Sequence, residues 1–218
     1  LSLRRQRQMC IRDSYQSAKL LADIGDISSG VNIKIEKNIP IGAGLGGGSS
    51  NAASTIVALN KLWGLGLNQN KMLEKKKKIG ADVPFFIYGD NAYGKGIGDT
   101  LEFKESIRDK ILLIDPKINN SSAEMFELFD NFKQSNKNTS NYPQNDFWDV
   151  FLEGNKSIRE FFTKINKNHD LNLSGSGSCM FVKYNKREDI EGILKKIPSN
   201  WRFFFCKPLQ YSPLMKFV

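Results

Sequence analysis

The segment PIGAGLGGGSSNAA, from Pro40 to Ala53, holds five glycines in the seven positions 42–48, and two serines follow them. Glycine loses more conformational freedom on folding than any other residue, so this density indicates that the backbone approaches another group closely. A structural turn rarely needs more than one or two glycines, which argues against a loop that only packs against another backbone.

A helix is predicted directly after these glycines. Ser49 or Ser50 is the expected N-cap, because serine hydroxyls accept hydrogen bonds from the first N–H groups of a helix, and Gly64 is the expected end. Apolar residues recur along one helical face at Ala52, Ile56, Leu59 and Trp63. The segment therefore feeds a helix N-terminus, whose unpaired N–H groups and positive dipole end favour an anion.

Two other nucleotide loops fit the segment less well. A P-loop needs a lysine where this chain has Gly48, so the charge that reaches the β- and γ-phosphates is absent. The dinucleotide pattern GxGxxG is present at Gly42, Gly44 and Gly47. However, the preceding VNIKI (31–35) alternates like a half-exposed strand, whereas the first strand of a dinucleotide fold is buried on both faces.

Charge and cysteine content indicate which partners to expect. The formal charge is +9, of which residues 1–14 (LSLRRQRQMCIRDS) contribute +3. This stretch is typical of a vector or adapter remnant and is expected to be a non-native leader. The run Lys75–Lys78 is expected to be a solvated helix face, so no nucleic-acid partner is predicted. The three cysteines lack CxxC spacing, and no apolar run reaches the length of a membrane span. The expected location is therefore the cytoplasm, without a membrane partner.

The rest of the chain predicts an α+β protein of two domains. Helices are expected over 15–24, 68–79, 147–154, 158–165 and 187–197, and strands over 31–35, 110–115 and 203–208. A glycine-containing hairpin or loop is expected over 91–99, and two strands joined by a glycine turn over 171–184. The polar stretch 133–145 predicts a surface loop. The predicted domains are 15–115 and 116–218, with their boundary near Pro116.

Several motifs resemble those of the GHMP small-molecule kinases in order and spacing. PIGAGLGGGSSNAA is similar to the second motif of that family, and LSGSGSCMF (173–181) is similar to its third. Further similar segments are GADVPFF (80–86), GIGD (96–99), NDF (145–147) and YSPL (211–214). The resemblance covers about residue 15 to the end. It implies a ribosomal S5 domain 2-like N-terminal half and a ferredoxin-like C-terminal half.

The resemblance also implies a set of site residues. Asp82 is the implied catalytic residue and also contacts substrate. The ATP phosphates are assigned to Pro40, Gly42, Gly44, Leu45, Gly46, Gly47, Gly48, Ser49, Ser50 and Asn51, with the hydroxyls of Ser49 and Ser50 as candidate Mg²⁺ ligands. The substrate is assigned to Ser122, Phe126, Gly175, Ser176 and Gly177. Phe126 suits base stacking, although core packing is an alternative for it.

The implied reaction is ATP-dependent phosphorylation of the 2-hydroxyl of 4-diphosphocytidyl-2-C-methyl-D-erythritol in non-mevalonate isoprenoid synthesis, by a monomer or weak homodimer. Homoserine-type or mevalonate-type kinases and a non-catalytic phosphate- or RNA-binding module remain alternatives. Family members open with a lysine-bearing strand and a DGYH-type segment, and neither is present here. The chain is therefore expected to be an N-terminally truncated fragment with little or no activity.

Overall fold

The structure, a computed structural model, describes residues 2–74, 80–96, 98, 100–105, 107–135, 145–165 and 169–218, with backbone alone for 2–10 and 135. The chain forms two compact units. Unit 1 comprises Leu1–Ile39, Gly46–Ile107 and Leu209–Val218, and unit 2 comprises Pro40–Leu45 and Arg108–Pro208. The chain therefore returns from unit 2 to unit 1 inside the glycine-rich segment, between Leu45 and Gly46. The prediction of a single domain boundary near Pro116 does not include this crossing.

Unit 1 is built mainly from helices around one apolar core. Its elements are α1 (Ser2–Gly25), α2 (Gly47–Leu62), α3 (Gln69–Glu74), α4 (Val83–Tyr88), the antiparallel hairpin β1 (Ala92–Lys95) and β2 (Thr100–Phe103), and a 3₁₀ turn at Pro213–Lys216. Apolar side chains from α1, α2, α3 and α4 meet in the core, among them Leu21, Ile56, Met72 and Ile87. The predicted face of α2 is confirmed, since Ala52, Ile56 and Leu59 are all buried.

One prediction for unit 1 is confirmed with an earlier start, and one is wrong. α1 begins at Ser2, so the helix expected over 15–24 extends back through the stretch that the sequence analysis treated as a leader. Residues 31–38 form no strand, because a strand needs a ladder partner and no described segment pairs with them. The alternation still marks a common face, since Val31, Ile33 and Ile35 all line one apolar cavity of about 550 Å³.

Unit 2 packs helices against an antiparallel sheet. Its elements are β3 (Lys110–Asp115), α5 (Ser122–Ser135), α6 (Trp148–Gly154), α7 (Lys156–Ile165), β4 (Asn172–Leu173), β5 (Met180–Tyr184), a 3₁₀ turn (Arg187–Ile190) that continues into α8 (Glu191–Leu194), and β6 (Arg202–Cys206). The strand order is β4-β5-β3-β6, with Leu112 of β3 opposite Val182 and Phe205. Trp148, Phe151, Ile158 and Met180 lie in the core, and the α+β fold class is confirmed.

Some predictions fall outside the described residues. These are the Lys75–Lys78 face, Ile97 and Asp99 of GIGD, and residues 136–144 of the predicted loop. Among the helices that the structure does describe, none has the length and apolar character needed to cross a bilayer.

Candidate active site

The first half of the glycine-rich segment is fastened to a second glycine turn within unit 2. The carbonyl oxygens of residues 42–44 each accept one hydrogen bond. The donors are, in order, the N–H of Asn120 at 2.8 Å, the N–H of Cys179 at 3.1 Å and the hydroxyl of Ser174 at 2.9 Å. These carbonyls therefore hold Pro40–Leu45 against the turn that follows β4.

Gly44 is required by this backbone approach. Its φ of +71° lies in the left-handed region, and a Cβ atom there would lie 1.9 Å from the carbonyl oxygen of Ser174. No side chain fits in that space. At Gly44 the space that a Cβ atom would need is occupied by the backbone of Ser174.

The second half of the segment opens α2. Gly46 is the N-cap, with φ of +64°, and no side chain caps the helix. The first intrahelical bond runs from the N–H of Ser50 to the carbonyl of Gly46, at 2.9 Å. Ser49 and Ser50 therefore lie in the first turn, and the prediction that one of them is the N-cap is wrong. Among the described residues, the N–H groups of Gly47, Gly48 and Ser49 have no hydrogen-bond partner, so an outside acceptor can bind there.

Charged groups flank this helix start. A Cβ atom on Gly47 would lie 3.0 Å from Lys37 Nζ, and one on Gly48 would lie 2.8 Å from Asp13 Oδ2. Burial raises the pKa of the Asp13 carboxyl, and the nearby Arg12 guanidinium opposes that shift. Lys37 was not among the predicted site residues, although a lysine shortly before the glycines is a signal for a phosphate contact.

Asn51, in the first turns of α2, carries an orphaned donor. Its Nδ2 atom is buried and has no hydrogen-bond partner among the described residues. Buried polar atoms are nearly always paired. An amide donor without a partner, close in sequence to an uncapped helix start, suits an anionic oxygen.

Asp82 occupies the N-cap position of α4 but caps nothing. Its backbone is right-handed, with φ of −87°, and its side chain makes no capping bond. The side chain is exposed. One turn further along α4, Phe86 packs on Gly46, where a Cβ atom would lie 2.8 Å from Phe86 Cζ.

The second glycine turn is strongly constrained. Gly175 and Gly177 both have positive φ, at +53° and +77°. Ser176 is 8% exposed, and its hydroxyl lies 2.9 Å from the hydroxyl of Ser122. Its carbonyl accepts a hydrogen bond from Asn120 Nδ2 at 3.3 Å. The structure therefore brings Ser122 together with the turn Gly175–Gly177.

Phe126 follows Ser122 by one turn on α5. Its side chain is 56% exposed and meets the ring of Phe147 edge to face, with 5.0 Å between the centroids. Core packing is therefore not its role.

Asn145 contributes to the same turn, and the sequence analysis gave it no role. Its Nδ2 donates to the carbonyls of Leu173, at 3.0 Å, and Gly175, at 2.9 Å. The NDF motif marked the position, but nothing local in the sequence showed that it reaches a turn 30 residues further on.

The YSPL motif fastens the C-terminal segment of unit 1 to the end of α4. The N–H of Ser212 donates to the carbonyl of Gly89 at 2.7 Å, and the hydroxyl of Ser212 accepts from the N–H of Leu214 at 3.2 Å. Leu214 packs against the core of unit 1. YSPL therefore stabilises the helix that Asp82 begins.

Unit 1 holds the uncapped helix start after the glycine-rich segment, and unit 2 holds the second constrained glycine turn. Residues 13–90 match the family described as GHMP kinases, N-terminal domain. The chain belongs to the GHMP kinase family and is a small-molecule kinase.

Within that family the similarity is to 4-diphosphocytidyl-2-C-methyl-D-erythritol kinases. The protein of that name from Acinetobacter baumannii is 35% identical over 211 residues, which cover 93% of this chain and 75% of the relative. The one from Methylococcus capsulatus is 30% identical over 215 residues, covering 96% and 72%. A crystal structure of 4-(cytidine 5′-diphospho)-2C-methyl-D-erythritol kinase has a TM-score of 0.69 and 22% identity, covering 88% of this chain and 76% of that one.

Proposed function

We propose that this chain binds ATP and transfers its terminal phosphate to the 2-hydroxyl of 4-diphosphocytidyl-2-C-methyl-D-erythritol. The names of the relatives support the acceptor. The observation that carries nucleotide binding is the uncapped start of α2, with Lys37 Nζ beside Gly47 and the orphaned donor of Asn51 close by in the sequence.

The two halves of the glycine-rich segment take different roles in this proposal. The N–H groups of Gly46–Ser49 and the amide of Asn51 bind phosphate oxygens, and Lys37 neutralises part of their charge. The earlier part, from Pro40 to Leu45, is bonded within unit 2 and precedes the helix start in the chain. The ATP contacts of Pro40, Gly42, Gly44 and Leu45 are thus proposed to be indirect.

Magnesium fits this site only with the help of the nucleotide. The described residues contain no group of three or more His, Cys, Asp or Glu side chains that could hold a metal ion. Mg²⁺ prefers oxygen ligands and keeps several waters, so one or two protein ligands are enough when phosphates supply others. The hydroxyls of Ser49 and Ser50 would hold the ion, which would offset the charge that develops on the transferring phosphate.

Asp82 is proposed to accept the proton of the acceptor hydroxyl. As the hydroxyl oxygen bonds to the γ-phosphorus, the bond between that phosphorus and the β–γ bridging oxygen breaks and ADP leaves. The hydroxyl proton passes to the Asp82 carboxylate and then to solvent. The carboxylate is free for this task, because it has no hydrogen-bond partner in the described part of the chain.

Unit 2 is proposed to bind the acceptor. The turn Gly175–Gly177 supplies backbone N–H donors for a diphosphate, and the Ser122 hydroxyl supports the turn through Ser176. The exposed ring of Phe126 offers a surface on which a cytosine base can stack.

Nucleotide binding is tested first, by titration calorimetry with ATP. Lys37→Met is expected to weaken ATP binding about tenfold or more, since a hydrogen bond to a charged group contributes roughly 1.5–3 kcal/mol. The matched control is Lys34→Met, which removes an exposed lysine from the same segment and is expected to change ATP affinity less than twofold. Equal affinities of the two variants would contradict the assignment of the phosphates to the start of α2.

Phosphoryl transfer is tested in single turnovers, with protein in excess over radiolabelled ATP so that slow transfer is measurable. The low turnover expected from the sequence stays a prediction. Asp82→Asn is expected to slow transfer about 10²–10⁴-fold with little change in ATP affinity, whereas Asp23→Asn, an exposed aspartate on α1, is expected to leave the rate unchanged. Phosphorylation of homoserine or mevalonate in place of the cytidyl acceptor would refute the proposed substrate.

A further inference from the structure

We propose that Asn145 is a positioning residue, which holds the turn Gly175–Gly177 so that the N–H of Ser176 faces an anionic group of the substrate. This inference rests on the proposed function. Asn145 Nδ2 donates to two carbonyls at once, that of Leu173 at the end of β4 (3.0 Å) and that of Gly175 inside the turn (2.9 Å). One amide group therefore ties the turn to the strand before it.

Rigid peptide planes convert these two bonds into a fixed donor direction. The carbonyl of one residue and the N–H of the next belong to one planar unit and point in opposite directions. When Asn145 holds the carbonyl of Leu173, the N–H of Ser174 points the other way, and it donates to the carbonyl of Cys179 at 2.9 Å. Asn145 also holds the carbonyl of Gly175. Because that carbonyl and the N–H of Ser176 share one peptide plane, the N–H of Ser176 points away from Asn145.

The N–H of Ser176 is then the donor left for a ligand. It has no hydrogen-bond partner in the described part of the chain, although the hydroxyl of Ser176 meets Ser122 and its carbonyl meets Asn120. The residue is 8% exposed, and its hydroxyl and carbonyl are held by Ser122 and Asn120. A backbone donor held in advance suits the stabilisation of charge on a phosphate oxygen.

The backbone and side-chain oxygen of Asn145 are themselves fixed by hydrogen bonds. Its Oδ1 accepts the N–H of Phe147 at 2.9 Å, and its own carbonyl accepts the N–H of Trp148 at 3.1 Å. These bonds start α6, whose Trp148 and Phe151 lie in the core of unit 2. The side chain therefore has two separable tasks, because its oxygen starts a helix and its nitrogen holds the turn.

Asn145→Asp separates these tasks. The variant keeps an oxygen that can accept the N–H of Phe147, but it faces the carbonyls of Leu173 and Gly175 with a carboxylate oxygen in place of a donor. Asn145→Ala loses both functions. The control is Asn155→Ala, which removes another half-buried asparagine of unit 2, whose amide donates to the carbonyl of Phe151 on the preceding helix, at 2.9 Å.

Amide hydrogen exchange reads out the turn without any need for catalysis. The N–H of Gly177 donates to the carbonyl of Ser174 across the turn, at 2.9 Å. In Asn145→Asp this N–H is expected to exchange about tenfold faster than in the unchanged chain. The urea midpoint of Asn145→Asp is expected to stay closer to that of the unchanged chain than the midpoint of Asn145→Ala. Asn155→Ala is expected to leave exchange at Gly177 unchanged.

Transfer kinetics supply the second readout. Asn145→Asp is expected to slow single-turnover transfer at least tenfold while ATP affinity changes less than threefold, because the phosphates of ATP bind at α2. Unchanged exchange at Gly177, or an equal loss of transfer in Asn155→Ala, would overturn the positioning role. Failure of the proposed function is a different result, since the unchanged chain would then transfer no phosphate to the acceptor.

Discussion

Replacement of Gly44 by alanine tests whether the glycine-rich segment is anchored on the turn after β4. The backbone of Gly44 has φ of +71°, and the new Cβ atom would lie 1.9 Å from Ser174 O and 2.9 Å from Ser174 C. Cβ atoms essentially never lie this close to other atoms, and both neighbours belong to the backbone. The segment Pro40–Leu45 must therefore move off the turn.

The expected loss in free energy of unfolding follows from the interactions that this movement breaks. A left-handed conformation costs alanine about 1–2 kcal/mol. Separation of the two backbones also loses the three hydrogen bonds accepted by residues 42–44, each worth about 1 kcal/mol. We expect Gly44→Ala to lower the free energy of unfolding by about 4 kcal/mol.

Gly64 provides the matched control. Its φ is +62°, nearly that of Gly44, but a Cβ atom there would meet nothing within 4 Å. Gly64→Ala therefore carries the conformational cost alone, about 1–2 kcal/mol.

Urea unfolding followed by circular dichroism and by tryptophan fluorescence measures the difference between the two glycine variants. With a slope of about 2 kcal/mol/M, Gly44→Ala should lower the midpoint by about 2 M. A loss of stability in Gly44→Ala no larger than that in Gly64→Ala would refute the anchoring.

Three further predictions concern other contacts of the two units. Arg202→Met removes the charged partner of the Asp115 carboxylate, which is 2% exposed and lies 2.6 Å from the guanidinium. We expect the free energy of unfolding, measured by urea titration, to fall by about 3 kcal/mol. The double variant with Asp115→Asn is expected to recover part of that loss. Burial raises the pKa of both described thiols, that of Cys179 to about 12. At pH 8 an aromatic disulfide reagent should therefore label the half-buried Cys206 well before Cys179, as read by peptide mass spectrometry, and equal labelling would contradict the buried position of Cys179. Gly89→Ala places a Cβ atom at φ of +82° against a methionine side chain, so the free energy of unfolding of unit 1 should fall by about 2 kcal/mol. An unchanged urea midpoint would contradict the packing at the end of α4.

Local patterns in the sequence predicted most helices and strands. The apolar face of α2 was visible because residues three and four apart share one side of a helix. β3 and β5 were visible as short apolar runs. The alternation of VNIKI correctly grouped Val31, Ile33 and Ile35 on one face, but it could not show whether a partner strand lies beside them. Hydrogen bonding in a sheet depends on that partner and not on the pattern alone.

The candidate site was predictable in its residue types and less so in its geometry. Ser49 and Ser50 are good capping residues by type, yet a left-handed Gly46 is the N-cap, so both serines lie in the first turn of the helix. Lys37 and Asn145 were missed because their contacts depend on the tertiary fold. The reach of Asn145 to Leu173 spans 28 residues, and no local period encodes such a distance.

The five glycines of the opening segment do not share one physical cause. Gly42 and Gly44 have positive φ and lie where two backbones meet inside unit 2. Gly47 and Gly48 are helical, and there the absence of Cβ atoms leaves space for the charged groups beside the start of α2. Composition alone cannot separate these causes, because both favour the same residue and they adjoin in the chain. Only the second leaves N–H groups without partners, so anion binding follows from the helix start and not from glycine density.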